Sequence, residues 1–238
     1  MAAALPLSVV VPAGRRFARK HRADLLYGRL LASAVQHAFA GGPPPEARVR
    51  AADGSAEPLP VERWLAPADA ADIALLAHAE ADVLDLGCGP GRHLAALKAA
   101  GLPGLGVDLS PVAVWLARER GADAIPGSVF AAVPRAGRWR TALLLDGNIG
   151  IGGDPAALLR RTRDLIAPGG SALVELHPPG APTYSTRVRL EAPGMLSEWF
   201  GWARVGTNGV GPLARRARLV AGEPFRAGDR WFARLRRP

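Results

Sequence analysis

An apolar run that ends in a glycine-rich turn, VLDLGCGPG at residues 83–91, restricts the folds open to this chain of 238 residues. Glycine has no Cβ, so Gly87, Gly89 and Gly91 let the backbone pass close to a ligand. A helical pattern follows, and the start of a helix offers free N–H groups and the positive end of a dipole. A dinucleotide-binding fingerprint would have its third glycine where Arg92 stands. The spacing here is Gly-x-Gly-x-Gly instead.

Short apolar runs alternate with helical patterns in the rest of the chain. Candidate buried strands lie at 83–86, 104–107, 122–125, 142–145 and 172–176. Helical patterns lie at 92–100, 111–120 and 155–166, and a closing pair of strands is predicted at 218–220 and 230–235. This alternation predicts βαβ units, right-handed crossovers and a parallel sheet. We therefore predict an α/β fold with a Rossmann-like, doubly wound sheet of seven strands, mostly parallel with an antiparallel C-terminal edge hairpin.

The first third of the chain has a different organisation. Residues 22–40 carry apolar side chains at helical spacing, and the pattern stops at a Gly-Gly-Pro run. Short alternating segments flank Asp53-Gly54, which predicts a small hairpin. We assign residues 1–80 to an N-terminal helical lid with this hairpin, and residues 81–238 to a core whose substrate-cap insertion lies at 178–205.

The composition excludes several classes of protein. Cys88 is the only cysteine, so the chain forms no intramolecular disulfide and no zinc site of thiolates, and a reducing, cytoplasmic setting fits. The apolar run at residues 5–12 is too short to span a bilayer, which needs about 20 apolar residues. No His, Asp or Glu pair has the spacing of metal ligands. We therefore expect a cytoplasmic protein without a membrane or metal partner, and a homodimer remains open.

The formal net charge of +9 resides in the two ends of the chain. Residues 1–50 carry eight Lys and Arg against two acids, and residues 201–238 carry nine Arg against two acids. This distribution opens a nucleic-acid interpretation. An acidic or phosphorylated substrate would follow if the arginines of residues 15–22 and 215–237 formed one face over an active-site mouth. Scattered arginines would make the charge a solubility feature only.

Asp108 follows the second predicted strand, seventeen residues after Gly91. At such a position an acid can accept both hydroxyls of a ribose. With these residues the chain resembles the class I S-adenosylmethionine-dependent methyltransferases: DLGCGPG at 85–91 matches their first motif fully, and Asp108 matches the second at the usual separation. The resemblance covers residues 81–177 well and the C-terminal strand pair loosely. It implies S-adenosylmethionine as cofactor and S-adenosylhomocysteine as product.

The resemblance also implies roles for single residues. Asp85 would organise the turn and the methionine amino group, the glycines would approach the methionine moiety, and Asp108 would hold the ribose beside an adenine on Leu109. The third motif often has an acid that accepts from the adenine amino group; here Ser128 and the backbone N–H of Val129 stand in its place. The predicted cofactor-binding set is Asp85, Gly87, Cys88, Gly89, Gly91, His93, Asp108, Leu109, Ser128, Val129, Asp146 and Gly147.

Two members of this set have competing interpretations. Cys88 stands near a helix N-terminus, which lowers the pKa of a thiol, but packing beneath the loop is favoured because the family tolerates small residues there. His93 is expected to face the cofactor or the cap, and a role on the helix surface is favoured over catalysis.

His177 and Asp146 are the candidate catalytic residues. His177 follows the fifth strand, at the rim where open α/β sheets bind ligands, and an ordinary pKa near 6.5 suits proton abstraction from a hydroxyl or amine. A loop histidine that bonds only backbone is an equal alternative. Asp146 either removes the proton or orients the methionine amino group, and orientation is favoured.

Contacts to the methyl acceptor are predicted in the lid, after the fourth strand and in the aromatic insertion. The candidate residues are Tyr27, Asn148, Tyr184 and Trp199. The Trp and Phe residues of the insertion indicate an aromatic or apolar acceptor, although a structural cap explains them almost as well.

The sequence therefore predicts an S-adenosylmethionine-dependent methyltransferase that moves a methyl group to an oxygen, nitrogen or carbon of a small molecule. Fold-level analogy does not choose among these atoms. An RNA methyltransferase that binds phosphates through the basic ends is the first alternative. It is disfavoured because the fourth motif lacks the Asn/Asp-Pro-Pro-aromatic pattern of enzymes that methylate base amino groups. A non-catalytic protein that binds S-adenosylmethionine is the second alternative.

Overall fold

The structure is a computed structural model that describes residues 20–43 and 46–238. Its strands are β1 Lys20–His21, β2 Arg48–Ala51, β3 Ala56–Pro58, β4 Val83–Leu86, β5 Gly104–Asp108, β6 Asp123–Pro126, β7 Trp139–Leu144, β8 Ile166–Leu176, β9 Tyr184–Ala192, β10 Met195–Ser197, β11 Phe200–Arg204, β12 Val220–Ala221, β13 Phe225–Ala227 and β14 Arg230–Arg236. Its helices are α1 Ala23–Phe39, α2 Val61–Leu65, α3 Ala70–Leu76, α4 Arg92–Ala99, α5 Pro111–Glu119, α6 Pro155–Leu165 and α7 Thr207–Arg216, with a 3-10 segment at Asn148–Gly153. Within the described ranges, no helix is long and apolar enough to cross a membrane.

The larger sheet has the strand order β12-β14-β8-β7-β4-β5-β6, and β13 also pairs with β14. Strands β4 to β8 are parallel, whereas β14 runs antiparallel to β8. The predicted doubly wound, mostly parallel sheet with an antiparallel C-terminal edge is confirmed. The described residues form eight strands here instead of the predicted seven. The extra strand β13 forms between the two predicted closing strands, where Phe225 packs on Phe232 with ring centroids 6.0 Å apart.

The central strands carry apolar side chains on both faces because helices cover both sides of the sheet. One face packs on α3, α4 and α5 through a cluster that includes Leu75, Leu94 and Val114. The other face packs on α6 and α7, where Leu158 and Val210 are buried. The three helices predicted between the strands form, and each ends one residue earlier than predicted. The core sheet is thus held between two helical layers, with its carboxyl edge open to further elements.

A second sheet has the order β1-β10-β9-β2-β3, and β11 also pairs with β9. The predicted hairpin around Asp53-Gly54 is formed by β2 and β3. Strand β9 belongs to the predicted insertion and pairs with β2 of the predicted lid, with Leu190 opposite Val49. The lid and the insertion therefore contribute strands to one sheet, whereas the predicted domain bounds remain a prediction.

The second sheet is held beside the carboxyl edge of the core sheet. Its inner face buries Leu190 against Leu26 and Leu30 of α1. Strand β11 packs on the 3-10 segment that follows β7, and a Cβ on Gly150 would overlap the carbonyl oxygen of Ala203. The glycine lets the two backbones meet, so the inner face of the second sheet lies next to the ends of the core strands.

Candidate active site

The glycine turn lies at the carboxyl end of β4, and Tyr27 of α1 reaches over it. Gly87, Gly89 and Gly91 have φ values of +82°, +51° and +80°, in the left-handed region that favours glycine. A Cβ on Gly89 would lie 3.0 Å from the hydroxyl of Tyr27, in the space between the turn and α1. A Cβ on Gly87 would lie 2.7 Å from Asn148 Nδ2, and one on Gly91 would lie 2.7 Å from the Cβ of Ala117. The glycines therefore let α1, α5 and the loop after β7 pack directly on the turn.

Asp108 ends β5 beside this turn and is 8% exposed. Its Oδ2 accepts from the Gly89 N–H at 2.9 Å, and its Oδ1 accepts from the Ser110 N–H at 2.8 Å. Burial raises the pKa of Asp108, and the two N–H bonds oppose that rise. The bonds fix the orientation of the carboxylate, whose remaining lone pairs can accept two neighbouring hydroxyls.

Exposed apolar side chains follow strands β5 and β6 at the carboxyl edge of the sheet. Leu109 is 51% exposed and Phe130 is 45% exposed. The Ser128 hydroxyl accepts from the Phe130 N–H at 3.2 Å and keeps its own hydrogen to donate. The side chain of Val129 is buried in the core. Apolar surface beside an acid at the end of β5 fits an adenosine group, so the residues present accommodate the implied cofactor.

Asp85 and His93 are buried beneath the turn. Asp85 is 1% exposed, and its Oδ2 has no hydrogen-bond partner among the residues that the structure describes. Burial raises the pKa of Asp85 to about 6. His93 is 4% exposed, with its Nδ1 3.9 Å from Asp85 Oδ2. The interpretation of His93 as a helix-surface residue is therefore wrong, because the first turn of α4 directs the ring inward against β4 and α3.

Asp146 follows β7 in a left-handed conformation with a φ of +53°. Arg92 Nη2 donates to both of its carboxylate oxygens, at 2.7 and 2.8 Å. The Asp146 N–H donates to Glu175 Oε2 at 2.6 Å. Burial acts to raise the pKa of Asp146, but the positive charges of His93 and Arg92 outweigh it and lower the pKa. A carboxylate held through both oxygens by a guanidinium is a poor proton acceptor, which supports the orienting role.

Asn148 binds the glycine turn itself. Its Nδ2 donates to the carbonyl oxygens of Leu86 at 3.0 Å and Gly87 at 2.9 Å. Both amide hydrogens are therefore engaged, and the predicted contact of Asn148 with the acceptor would have to use its oxygen alone. Gly147 precedes it with a φ of +82°, and a Cβ there would lie 3.9 Å from the ring of Trp202.

Aromatic residues occupy the inner face of the second sheet. Phe200 stands opposite Val188 in the register and packs on α1. Trp202 follows two residues later on the same face, with its ring perpendicular to that of Phe200 at 6.2 Å. Tyr184 stands opposite Arg204, again on this face, and is 38% exposed. The inner face therefore brings the predicted Tyr184 together with Trp202, which was not in the predicted site.

Trp199 lies on the opposite face of the second sheet. The guanidinium of Arg189 stacks 4.9 Å from the centroid of its ring. Arg189 alternates along β9 with Val188 and Leu190, which are buried on the inner face. This position contradicts the predicted contact between Trp199 and a methyl acceptor.

Tyr27 connects the lid to the glycine turn. Its ring meets Trp64 edge to face, with centroids 5.5 Å apart. Burial and the negative charge of Asp108 raise the pKa of Tyr27 well above 10.0. The phenol therefore stays protonated, and its hydroxyl can donate to a ligand beside Gly89.

His177 lies directly after β8. Its backbone N–H donates to Val205 O at 2.9 Å, and its carbonyl accepts from the Thr207 N–H at 3.1 Å. Its ring makes no hydrogen bond within the described part of the chain, so it is free to meet a ligand. Burial, with the nearby charge of Arg204, lowers the pKa of His177 below its ordinary 6.5.

Cys88 packs beneath the turn, as the favoured interpretation has it. The thiol is 5% exposed and lies where a Cβ on Gly106 would be. Burial raises the pKa of Cys88, so the residue is an unreactive thiol. Among the residues in the described ranges, no group of three or more His, Cys, Asp or Glu is arranged to hold a metal ion.

Four charged residues outside the predicted site complete its buried side. They are Asp72, Arg92, Glu175 and Arg230, and their side chains are 0 to 16% exposed. Only Glu175 carries a sequence signal, because it interrupts the otherwise apolar run of β8. Asp72, Arg92 and Arg230 reach the site through contacts between segments that are distant in the sequence, so no local pattern marks them.

Residues 61–210 match a family model described as a methyltransferase domain. Uncharacterized proteins of Mycobacterium tuberculosis and Mycobacterium bovis are 32% identical to the chain over 144 residues, which is 57% of this chain and 49% of each relative. The chain thus spans about half the length of the curated relatives it matches.

Solved structures share the fold. An S-adenosylmethionine-dependent methyltransferase from Bacteroides fragilis in complex with S-adenosyl-L-homocysteine has a TM-score of 0.73 at 21% identity, over 91% of this chain and 97% of that one. The 1,6-didemethyltoxoflavin-N1-methyltransferase of Burkholderia thailandensis has a TM-score of 0.53 at 19% identity, over 95% and 94%. With a family match over more than half of its length and this fold, the chain belongs to the class I S-adenosylmethionine-dependent methyltransferases.

Proposed function

We propose that the chain transfers the methyl group of S-adenosylmethionine to a small-molecule acceptor whose body is aromatic or apolar. The position of Trp202 carries the proposal. Its ring lies on the inner face of the second sheet and adjoins Gly147 at the carboxyl edge of the core sheet. The residues of the first two motifs end at that same edge, so an acceptor stacked on Trp202 lies beside the methionine end of the cofactor site.

The residues around the turn would each bind a different part of the cofactor. Asp108 would accept the ribose hydroxyls, Leu109 and Phe130 would flank the adenine, and Asp85 and Asp146 would face the methionine amino group. When bound, S-adenosylmethionine supplies a methyl group already activated on its sulfonium. What the chain itself contributes is alignment and, for a hydroxyl or amine acceptor, removal of a proton.

His177 is the residue we assign to proton removal. Because its pKa is lowered by burial, the imidazole is neutral at pH 7 and can accept a proton through a free ring nitrogen. Asp146 is engaged by Arg92 and keeps the orienting role. Their different environments therefore give His177 and Asp146 different roles.

Isothermal titration calorimetry with S-adenosylhomocysteine tests the cofactor site. We expect the wild type to bind, and Asp108→Ala to lose at least about 100-fold in affinity, because hydrogen bonds to a charged group contribute about 1.5–3 kcal/mol each. Asp123→Ala is the matched control, since Asp123 is an exposed acid on the neighbouring strand β6. Undiminished binding by Asp108→Ala, or none by the wild type, would refute the site.

Transfer of a labelled methyl group to a panel of hydroxy- and amino-aromatic compounds tests the acceptor. We expect turnover with members of this panel. Labelling of RNA without turnover of small molecules would favour the nucleic-acid alternative, with activity that falls steeply as salt rises. Binding of S-adenosylhomocysteine without any transfer would favour a non-catalytic role.

A further inference from the structure

Asp72 of α3 is fully buried and gathers three basic side chains behind the glycine turn. Its Oδ1 accepts from Arg230 Nη1 at 2.5 Å and lies 3.3 Å from His93 Nε2. Its Oδ2 accepts from Arg92 Nη1, and also from the Asp69 N–H at 3.0 Å in the capping box of the helix. One carboxylate thus connects α3 with the start of α4 and with the last strand, β14.

The two arginines each hold a second acid on the side of the turn. Arg92 binds both carboxylate oxygens of Asp146. Arg230 donates to Glu175 at 2.8 and 2.6 Å, and Glu175 in turn accepts from the Asp146 N–H. Both chains of contact that start at Asp72 therefore end on Asp146, a residue in a left-handed conformation that needs support from its surroundings.

His93 connects Asp72 with Asp85. Its Nδ1 lies 3.9 Å from Asp85 Oδ2, the buried oxygen for which the described part of the chain supplies no hydrogen-bond donor. The cluster contains four carboxylates and two guanidiniums, so negative charge is in excess even when His93 carries a proton. A buried excess of this sign favours a cationic ligand such as an ammonium group.

We infer that Asp72 and His93 are positioning residues of the cofactor site: Asp72 fixes the arginines behind Asp146, and His93 links Asp72 to Asp85. Asp146 and Asp85 are thereby oriented toward the amino group of the methionine moiety. Neither Asp72 nor His93 needs to touch the cofactor for this role. The inference rests on the proposed cofactor site and adds to it the part of the chain that holds its acids in place.

If His93 has this role, it affects the pH at which binding of the cofactor weakens. The charged groups that face Asp85 are His93 and Arg92 of α4, Asp146 after β7 and Asp108 of β5. Burial raises the pKa of Asp85 to about 6, and the charge of His93 is the largest opposing influence. An ammonium group binds the ionised carboxylate better, so affinity weakens as pH falls through that value, by up to about tenfold per pH unit. Without His93 the pKa of Asp85 rises, and the weakening moves to higher pH.

Calorimetry with S-adenosylhomocysteine from pH 5.5 to 8.5 tests the inference on the full chain. We expect Asp72→Asn to lose at least about tenfold in affinity at pH 7.5. His93→Gln is expected to shift the pH at which binding weakens upward by about half a unit or more. Asp69→Ala is the matched control, because it removes the helix cap on α3 and lowers Tm. Its side chain pairs only with the partly exposed Arg63 at 3.9 Å, and not with Arg92, His93 or Arg230.

The outcomes separate this inference from the proposed function. A wild type that binds, together with His93→Gln that keeps both affinity and pH profile, overturns the inference and leaves the cofactor site standing. Equal weakening by Asp69→Ala and Asp72→Asn also overturns it, because helix capping would then explain the effect. If Asp72→Asn does not fold, as loss of one member of a buried ion cluster can cause, the pH profile of His93→Gln decides. A wild type without affinity overturns the cofactor site and this inference with it.

Discussion

Replacement of Asn148 by aspartate separates a structural role of this residue from a role in acceptor binding. The Asn148 amide donates to Leu86 O at 3.0 Å and to Gly87 O at 2.9 Å, which joins the loop after β7 to the glycine turn. Ionised aspartate has the same shape but no donor, so its carboxylate would face two carbonyl oxygens. The turn and the loop are then expected to move apart.

The magnitude follows from the two hydrogen bonds. Together they contribute about 1–3 kcal/mol, and an acceptor left facing two carbonyls costs about 1–3 kcal/mol more. Asn148 is only half-buried, so water compensates part of the loss and the lower half of each range applies. We expect Asn148→Ala to lose about 1–2 kcal/mol and Asn148→Asp about 2–4 kcal/mol of unfolding free energy. In a protein of this size, each kcal/mol corresponds to about 2–4 °C in Tm.

Thermal unfolding by circular dichroism and calorimetry with S-adenosylhomocysteine on the same samples check this prediction. Both variants should unfold earlier and bind more weakly, with aspartate the worse. Asn208→Asp makes the same chemical change at an exposed position of α7 and should stay within about 0.5 kcal/mol of wild type. An Asn148→Asp variant with wild-type Tm and affinity, but a raised KM for the acceptor, would refute the reasoning and support the predicted substrate contact.

Three further predictions concern the second sheet and the candidate base. Gly150→Ala should lower Tm by several degrees and change the tryptophan fluorescence, because its Cβ overlaps the carbonyl of Ala203; an unchanged Tm would show that the two backbones can separate freely. Trp202→Ala should raise the acceptor KM about tenfold or more, and Trp199→Ala should not; equal effects would contradict the assignment of faces. If His177 is the base, kcat should stay constant down to a pH below 6.5 and then fall tenfold per pH unit as the ring takes a proton. His177→Asn should remove this fall from the pH profile. A variant with the wild-type profile would exclude the ring as the base.

The core of the fold is predictable because its signals are local. The buried strand β4, the glycine turn and the start of α4 are contiguous, and Asp108 lies one βαβ unit further on. Each strand of this part is buried on both faces, so apolar runs of four to five residues mark it without any knowledge of pairing. Cofactor chemistry at this edge follows from the same contiguous stretch.

The second sheet is not predictable in the same way, because its pairing is long-range. Val49 and Leu190 lie opposite each other although the chain between them includes most of the core. The face of an aromatic residue depends on register, and the chain breaks its strand pattern between Ser197 and Phe200, where β10 gives way to β11. Composition alone therefore identifies an aromatic cluster but cannot tell that Trp202 faces inward and Trp199 outward.

The buried charged cluster escapes sequence analysis for a related reason. Its members come from α3, β4, α4, β8, β14 and the loop after β7. Apart from β4 and α4, which adjoin the glycine turn, no spacing rule joins these elements. His93 illustrates the consequence. A histidine in the first turn of a helix has no local feature that distinguishes a surface position from a buried one, and only the approach of Asp72 and Asp85 decides it.

The arginines of the C-terminal segment divide along β14. Arg230 lies at the carboxyl edge of the sheet and is buried in the charged cluster, next to Trp231, which stands opposite Leu176 at the end of β8. Arg236 stands opposite Ser171, six residues along the strand and about 20 Å away. The arginines of residues 15–19 lie outside the described residues. Strand β14 thus places Arg230 at the cofactor site and Arg236 at the opposite edge of the core sheet. The arginines of β14 are therefore split between the two edges of the core sheet, and this strand presents no continuous basic face over the active site.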